Sequence, residues 1–236
     1  MKKTITKLFS VAIIVLTTIS FSACSKQKFH VNGAITDAKD SILYFENISL
    51  KGPVIVDSVK LSSDGTFSFS DDSPHAPEFY RLRINDQIIN LAIDSTETVT
   101  FKAKYPTMPT DYTVEGSYEC SKIKELALLQ ITLTNKALAL EANTELGANA
   151  VRENLKMALN TYKNYVKQYY IFKEPNKAYA YFALFQTLGN YLIFDPQSNR
   201  DDIKVYAAVA TSWDTFYPKS VRGKNLHNIA IEGMKN

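Results

Sequence analysis

Residues 54–70 read Val54-Ile-Val-Asp-Ser-Val-Lys-Leu-Ser-Ser-Asp-Gly-Thr-Phe-Ser-Phe-Ser70. Apolar and polar side chains alternate over 54–61 and again over 66–70, and a period of two belongs to a strand with one buried face. Between the two runs stands Asp64-Gly65, a pair that accepts the positive φ of a tight turn, so the stretch predicts a hairpin. The pattern continues outward over 31–35 and 41–45 on one side, and over 79–84, 88–93 and 98–102 on the other. Asn85-Asp86 and Asp94-Ser95 punctuate it as turns. About seven strands at this spacing predict an antiparallel β-sandwich-like module.

The period changes after Gly116-Ser117, which reads as a strand end followed by a helix N-cap. Residues 118–142 are rich in Leu, Ala and Lys and contain no proline. Val151, Leu155, Ala158, Leu159, Tyr162, Tyr165, Val166, Tyr169 and Phe172 recur every three or four residues, as on one buried helix face. Pro175 suits the first turn of a third helix holding Tyr179, Phe182, Phe185, Leu188 and Leu192, ended by Asp195-Pro196. Asn199 opens a fourth helix to about Phe216, and Ser220 a fifth. The fold class expected is therefore α+β, with a β-sandwich-like domain over 29–116 and an all-helical domain of about five helices over 117–236.

The first 23 residues have a different character. Lys2, Lys3 and Lys7 precede an apolar run, Leu8 to Leu16, that is shorter than the ~20 residues needed to cross a bilayer, so the segment reads as a secretory signal. Phe21-Ser22-Ala23-Cys24 resembles the lipobox of bacterial lipoproteins, although Phe21 stands where that motif usually has Leu. The resemblance implies acylation of Cys24 and a short tether over 24–28. Several acyl chains on one residue would hold the protein on a membrane, since one chain alone is marginal. Ser25 replaces the Asp that signals inner-membrane retention, and no acidic run comes after it, which points to the outer membrane with the body facing the periplasm.

The chain has 236 residues, a net charge of +3, 45% hydrophobic and 22% charged residues, and two cysteines. Those values exclude a disordered chain, a disulfide-stapled miniprotein and a multi-span membrane protein. Without the three signal lysines, 24 basic side chains face 24 acidic ones, so no dense basic surface points to a nucleic-acid partner. Residues 24–116 carry 9 basic and 13 acidic residues and 117–236 carry 15 and 11. Opposite signs favour docking of the two parts, within the ~8 Å reach that physiological salt allows.

Five stretches carry a second resemblance: Phe29-His-Val-Asn-Gly-Ala-Ile35, Val56-Asp-Ser-Val59, Asp64-Gly-Thr-Phe-Ser-Phe69, Pro77-Glu-Phe-Tyr-Arg-Leu82 and Tyr112-Thr-Val-Glu-Gly-Ser117. Together they are similar to a domain of unknown function common in Bacteroidetes lipoproteins. In that family the module usually precedes a helical linker and then a thioredoxin-like domain related to peroxiredoxins. The family's redox chemistry lies in a Cys-x-x-Cys pair that this sequence does not contain, so no catalytic residue carries over. What the resemblance implies here is an ancillary part without the thioredoxin domain.

No other feature supplies chemistry. Cys120 falls in the first turn of a helix, where the dipole could lower a thiol pKa, yet no base or second cysteine is near it in sequence, and it reads as structural. His30, His75 and His227 have no ligand partner at metal-site spacing, and Asp71-Asp72-Ser73-Pro74-His75 lacks the alternating oxygens of a calcium loop. Lys156, Lys163 and Lys167 share a helix face read as solvated. Tyr162, Tyr165, Tyr169, Tyr170, Tyr179, Tyr181, Tyr191, Tyr206, Tyr217 and Trp213 read chiefly as core, with stacking on a sugar or peptide as the other use of such rings. Nucleophile-elbow, phosphate-loop, dinucleotide and zincin motifs are missing from the sequence. The expectation is a non-enzymatic, lipid-anchored protein with no catalytic residue, cofactor or metal, attached through Cys24 and acting on a protein partner. Two other readings stand beside it: a partner or shortened form of a thiol-disulfide oxidoreductase, and a glycan- or peptide-binding lipoprotein.

Overall fold

The computed structural model describes residues 27–235. Cys24 and the signal segment lie outside them. Eight strands come first: β1 (Lys28–Thr36), β2 (Ile42–Ser49), β3 (Gly52–Lys60), β4 (Thr66–Asp72), β5 (Glu78–Ile84), β6 (Gln87–Ile93), β7 (Thr98–Lys104) and β8 (Tyr112–Glu115). They form two four-stranded sheets, ordered β4-β1-β7-β8 and β3-β2-β5-β6. All pairings are antiparallel except β1 with β7.

The hairpin expected at Asp64-Gly65 does not form. β3 pairs with β2 and β4 pairs with β1, so the turn carries the chain from one sheet to the other. The glycine is needed for close approach as well as for its φ of 67°. Its carbonyl accepts from Ile35 N at 2.9 Å, and a Cβ there would sit 1.9 Å from the Ile35 oxygen. Asp64 tightens the corner by accepting from Ser62 Oγ and Thr66 N at 2.6 and 3.1 Å. Local turn chemistry was legible; the strand partner was not.

Alternation along β5 shows how the layers stack. Tyr80, Leu82 and Ile84 point into the inter-sheet core with Phe29, Phe45, Phe69 and Phe101, where Phe45 stacks on both Phe69 and Tyr80 at 5.3 and 5.0 Å. Phe79 faces the other way and joins a second core made by the helices. The β3-β2-β5-β6 sheet is thus a middle layer, apolar on both faces where the helices cover it.

The helical part holds α1 (Tyr118–Glu141), α2 (Ala148–Val166), α3 (Ala178–Leu184), α4 (Arg200–Phe216) and α5 (Val221–Lys235). Ser117 caps α1, its hydroxyl accepting from Cys120 N at 3.3 Å, and Asn199 caps α4 through Asp201 N and Asp202 N. Four sequence expectations fail here. The third helix stops at Leu184, because Gly189 takes φ 59° and a Gly-Asn turn pairs β9 (Thr187–Leu188) with β10 (Tyr191–Leu192). Pro175 lies before the helix rather than in it. The face of α2 drifts as well. Tyr165, expected on the buried face, is already exposed within α2; the helix then continues as a π-helical segment, Lys167–Ile171, whose wider turn rotates the side chains at its C-terminal end, so Tyr170 and Ile171 are buried while Tyr169 and Phe172 are exposed. Lys163, expected on a solvated face, is buried; its ammonium meets Asp202 at 2.5 Å and lies over the Phe194 ring.

Candidate functional site

Where α3 and α5 cross the middle sheet they leave a cleft of about 380 Å³. Its floor is the helix-facing side of β2, β5 and β6, from which Ile48, Phe79 and Asn90 project; Phe182, Phe185 and Tyr181 of α3 and its C-terminal cap form a wall, and Arg222 and Asn225 of α5 close it. Aromatic rings dominate, and the polar groups are the amides of Asn90 and Asn225, the Arg222 guanidinium and the hydroxyls of Ser49, Tyr80 and Tyr181. This is the composition of a site that holds an apolar group and orients it by a few hydrogen bonds.

Arg222 is the anchor of the arrangement. Its Nε and Nη2 donate to Glu78 Oε2 at 2.8 and 2.7 Å, Nη2 also donates to the Ile48 carbonyl at 2.5 Å, and the guanidinium lies over the Phe79 ring at 5.0 Å. Only 5% of the residue is exposed, so burial of the charge is offset by a carboxylate, a carbonyl and a ring face at once. Burial pushes the neighbouring Tyr181 hydroxyl above the usual phenol range, opposed by Arg222. Tyr181 therefore stands as a neutral phenol at the cleft wall.

Beyond Asn90 the same sheet face turns polar. Glu46 sits between Arg81 and Arg83, accepting from Arg81 Nε at 2.5 Å and from Arg83 Nη2 at 2.7 Å, and Arg83 stacks over Tyr44 at 4.6 Å. The hydrogen bond from Arg83 is the main cause that holds Glu46 below the ordinary carboxylate range. Two guanidinium groups share one carboxylate, which leaves this shelf net positive next to an apolar cleft.

Among the residues singled out from sequence, Cys120 is 1% exposed and its thiol donates to the Ala92 carbonyl at 3.1 Å. Burial pushes it up to about 12; desolvation thus outweighs any lowering by the helix N-terminus, in keeping with the reading of Cys120 as structural. His30, His75 and His227 lie on β1, on the β4–β5 loop and on α5, and His227 Nδ1 is paired with Asp214 at 2.8 Å. Among the described residues no three His, Cys, Asp or Glu side chains are placed to hold a metal ion. Asp71 and Asp72 are the last residues of β4, paired with β1, and Asp71 accepts from Asp72 N at 2.8 Å. Tyr162, Tyr170, Tyr179, Tyr181, Tyr206 and Trp213 are core. Tyr165 and Tyr169 are exposed, with rings 4.7 Å apart. Tyr191 is exposed on its hairpin, and Tyr217 is half-buried against Trp213.

The cleft residues were not found from sequence. Arg222 had one signal, standing four residues before Leu226 and eight before Ala230, on the buried face of α5; an arginine in phase with apolar residues requires a buried partner. Glu78 as that partner comes from 144 residues away, a distance no local pattern spans.

Residues 29–122 match the family model described as Domain of unknown function (DUF4369). The match begins in β1 and ends in the first turns of α1, so it contains Ile48, Phe79 and Asn90 of the cleft, whereas Tyr181, Phe182, Phe185, Arg222 and Asn225 come from outside it. No curated protein matches the chain.

Proposed function

We propose that the protein is a lipid-anchored component of the cell envelope, held at the outer membrane through acylated Cys24 with its body in the periplasm, and that it works by binding a protein partner rather than by catalysis. The observation that carries the binding role is the cleft between sheet and helices, with its aromatic lining and the Arg81–Glu46–Arg83 shelf beside it. An apolar anchor residue flanked by an acidic side chain is the partner chemistry that suits this pair of surfaces. The lining includes no His, Cys, Asp or Glu, so the cleft offers no pair of nucleophile and base. The resemblance of the β-strand half to modules that precede thioredoxin-like domains supports a second reading, in which the partner is a separate thioredoxin-like protein and this chain positions it.

The anchoring part is tested by metabolic labelling with radioactive palmitate and by detergent phase partition. Wild type is expected to take up label and enter the detergent phase, and Cys24→Ala to lose both. Unchanged partition of Cys24→Ala would contradict the anchor.

A further inference from the structure

The strands place the tether and a set of exposed apolar side chains at the same end of the sandwich. Gln27 is fixed to the start of the β4–β5 loop, its carbonyl accepting from Ser73 N at 2.8 Å. That loop, through His75 and Ala76, shares a depression with Pro218, Lys219 and Ser220 of the α4–α5 turn. The same turn carries Phe216 and Val221, 61% and 68% exposed. Val221 in turn shares a second depression with Leu50 and Lys51 of the β2–β3 turn, and Leu50 is 46% exposed. Antiparallel pairing requires this convergence, because β1 starts, β4 ends and β5 starts at one end (Lys28 opposite Asp72), where β2 also ends.

We infer that Leu50, Phe216 and Val221 form a membrane-resting surface that lies in the headgroup region of the bilayer carrying the anchor. The inference rests on acylation of Cys24. Three residue steps separate Cys24 from Gln27, a reach of at most about 11 Å for an extended chain, so the end of the sandwich at Gln27 is held against the lipid. Exposed apolar side chains taken singly need no explanation; here three of them, on two turns, crowd where the lipid must be. Lys51 and Lys219 accompany them, and such apolar-basic surfaces gain both from burial and from anionic headgroups. Glu78, which lines the second depression, is paired with Arg222, and Asp71 and Asp72 close β4 at the same end of the sandwich. At the opposite end, about 30 Å away along a nine-residue strand, the turns carry Asp37, Asp40, Asp64 and Asp86, of which Asp37 and Asp40 are paired with Lys104 and Lys60.

The test uses the full acylated chain in vesicles of phosphatidylethanolamine and phosphatidylglycerol that contain spin-labelled lipid as quencher. A fluorophore is attached at Val221→Cys or, as control, at Asp86→Cys; Cys120 is sealed and does not compete. The expected result is loss of most fluorescence at position 221 and none at 86. Palmitate labelling of the same samples separates the two levels. Acylated protein with no quenching at 221, or equal quenching at both positions, overturns the membrane-resting surface alone. Protein without acyl label overturns the anchor and this surface with it.

Discussion

Gly116→Ala is expected to lower stability by more than about 4 kcal/mol, a loss confined to a few mechanisms such as core clash and backbone strain. Both act at this site. Gly116 holds φ 88° between β8 and α1, a conformation that costs a residue with a Cβ roughly 1–2 kcal/mol. The added carbon would lie 2.2 Å from the Thr98 carbonyl oxygen, so β7 and β8 must separate or the start of α1 must shift. α1 lies on β6 through Cys120, whose thiol bonds to Ala92; the damage therefore reaches both cores. Thermal unfolding should show a drop of roughly 10 °C or more for a chain of this size. A change of a degree or two would mean that the junction between sheet and helix is not the fixed point described here.

Asp202→Ala should cost about 3–5 kcal/mol, the usual loss when one member of a buried ion pair is removed. Asp202 and Lys163 are 2% and 11% exposed at their side chains, and the same carboxylate oxygen accepts from Asp195 N at 2.8 Å. Removing it strands an ammonium between α2 and α4 and leaves a backbone N–H unpaired. The double variant Lys163→Met with Asp202→Asn removes the stranded charge and keeps an acceptor for Asp195, and should recover most of the loss. If the double variant is as unstable as Asp202→Ala in urea titration, the charge is not the cause.

The strands of the first half were legible because each shows one face to the core, and a period of two survives in residues such as Thr66-Phe-Ser-Phe69. Their partners were not. The Asp64-Gly65 turn has the same composition whether it closes a hairpin or crosses between sheets, and what decides is the packing of Phe67 and Phe69 under β2. β8 escaped because only four residues form it, at 112–115. In the helical half Ala158, Tyr162 and Val166 of the expected α2 face are buried while Tyr165 is not, and beyond Val166 the phase fails because a single π turn displaces Tyr169 and Phe172 without any mark in the sequence. The candidate site was hidden for a related reason. Its two halves, Phe79 with Ile48 and Phe182 with Arg222, belong to elements far apart in the chain, and each looks like ordinary core until the layers are stacked.

We propose that the protein acts by contact and not by thiol chemistry. Disulfide exchange needs an attacking thiolate and then a resolving thiol, and Cys120, protonated and sealed under the Ala92 carbonyl, supplies neither. The direct measurement is turnover in insulin reduction by the full chain, wild type beside Cys120→Ser. No turnover above buffer is expected for either protein. Catalytic turnover by wild type that disappears in Cys120→Ser would contradict it.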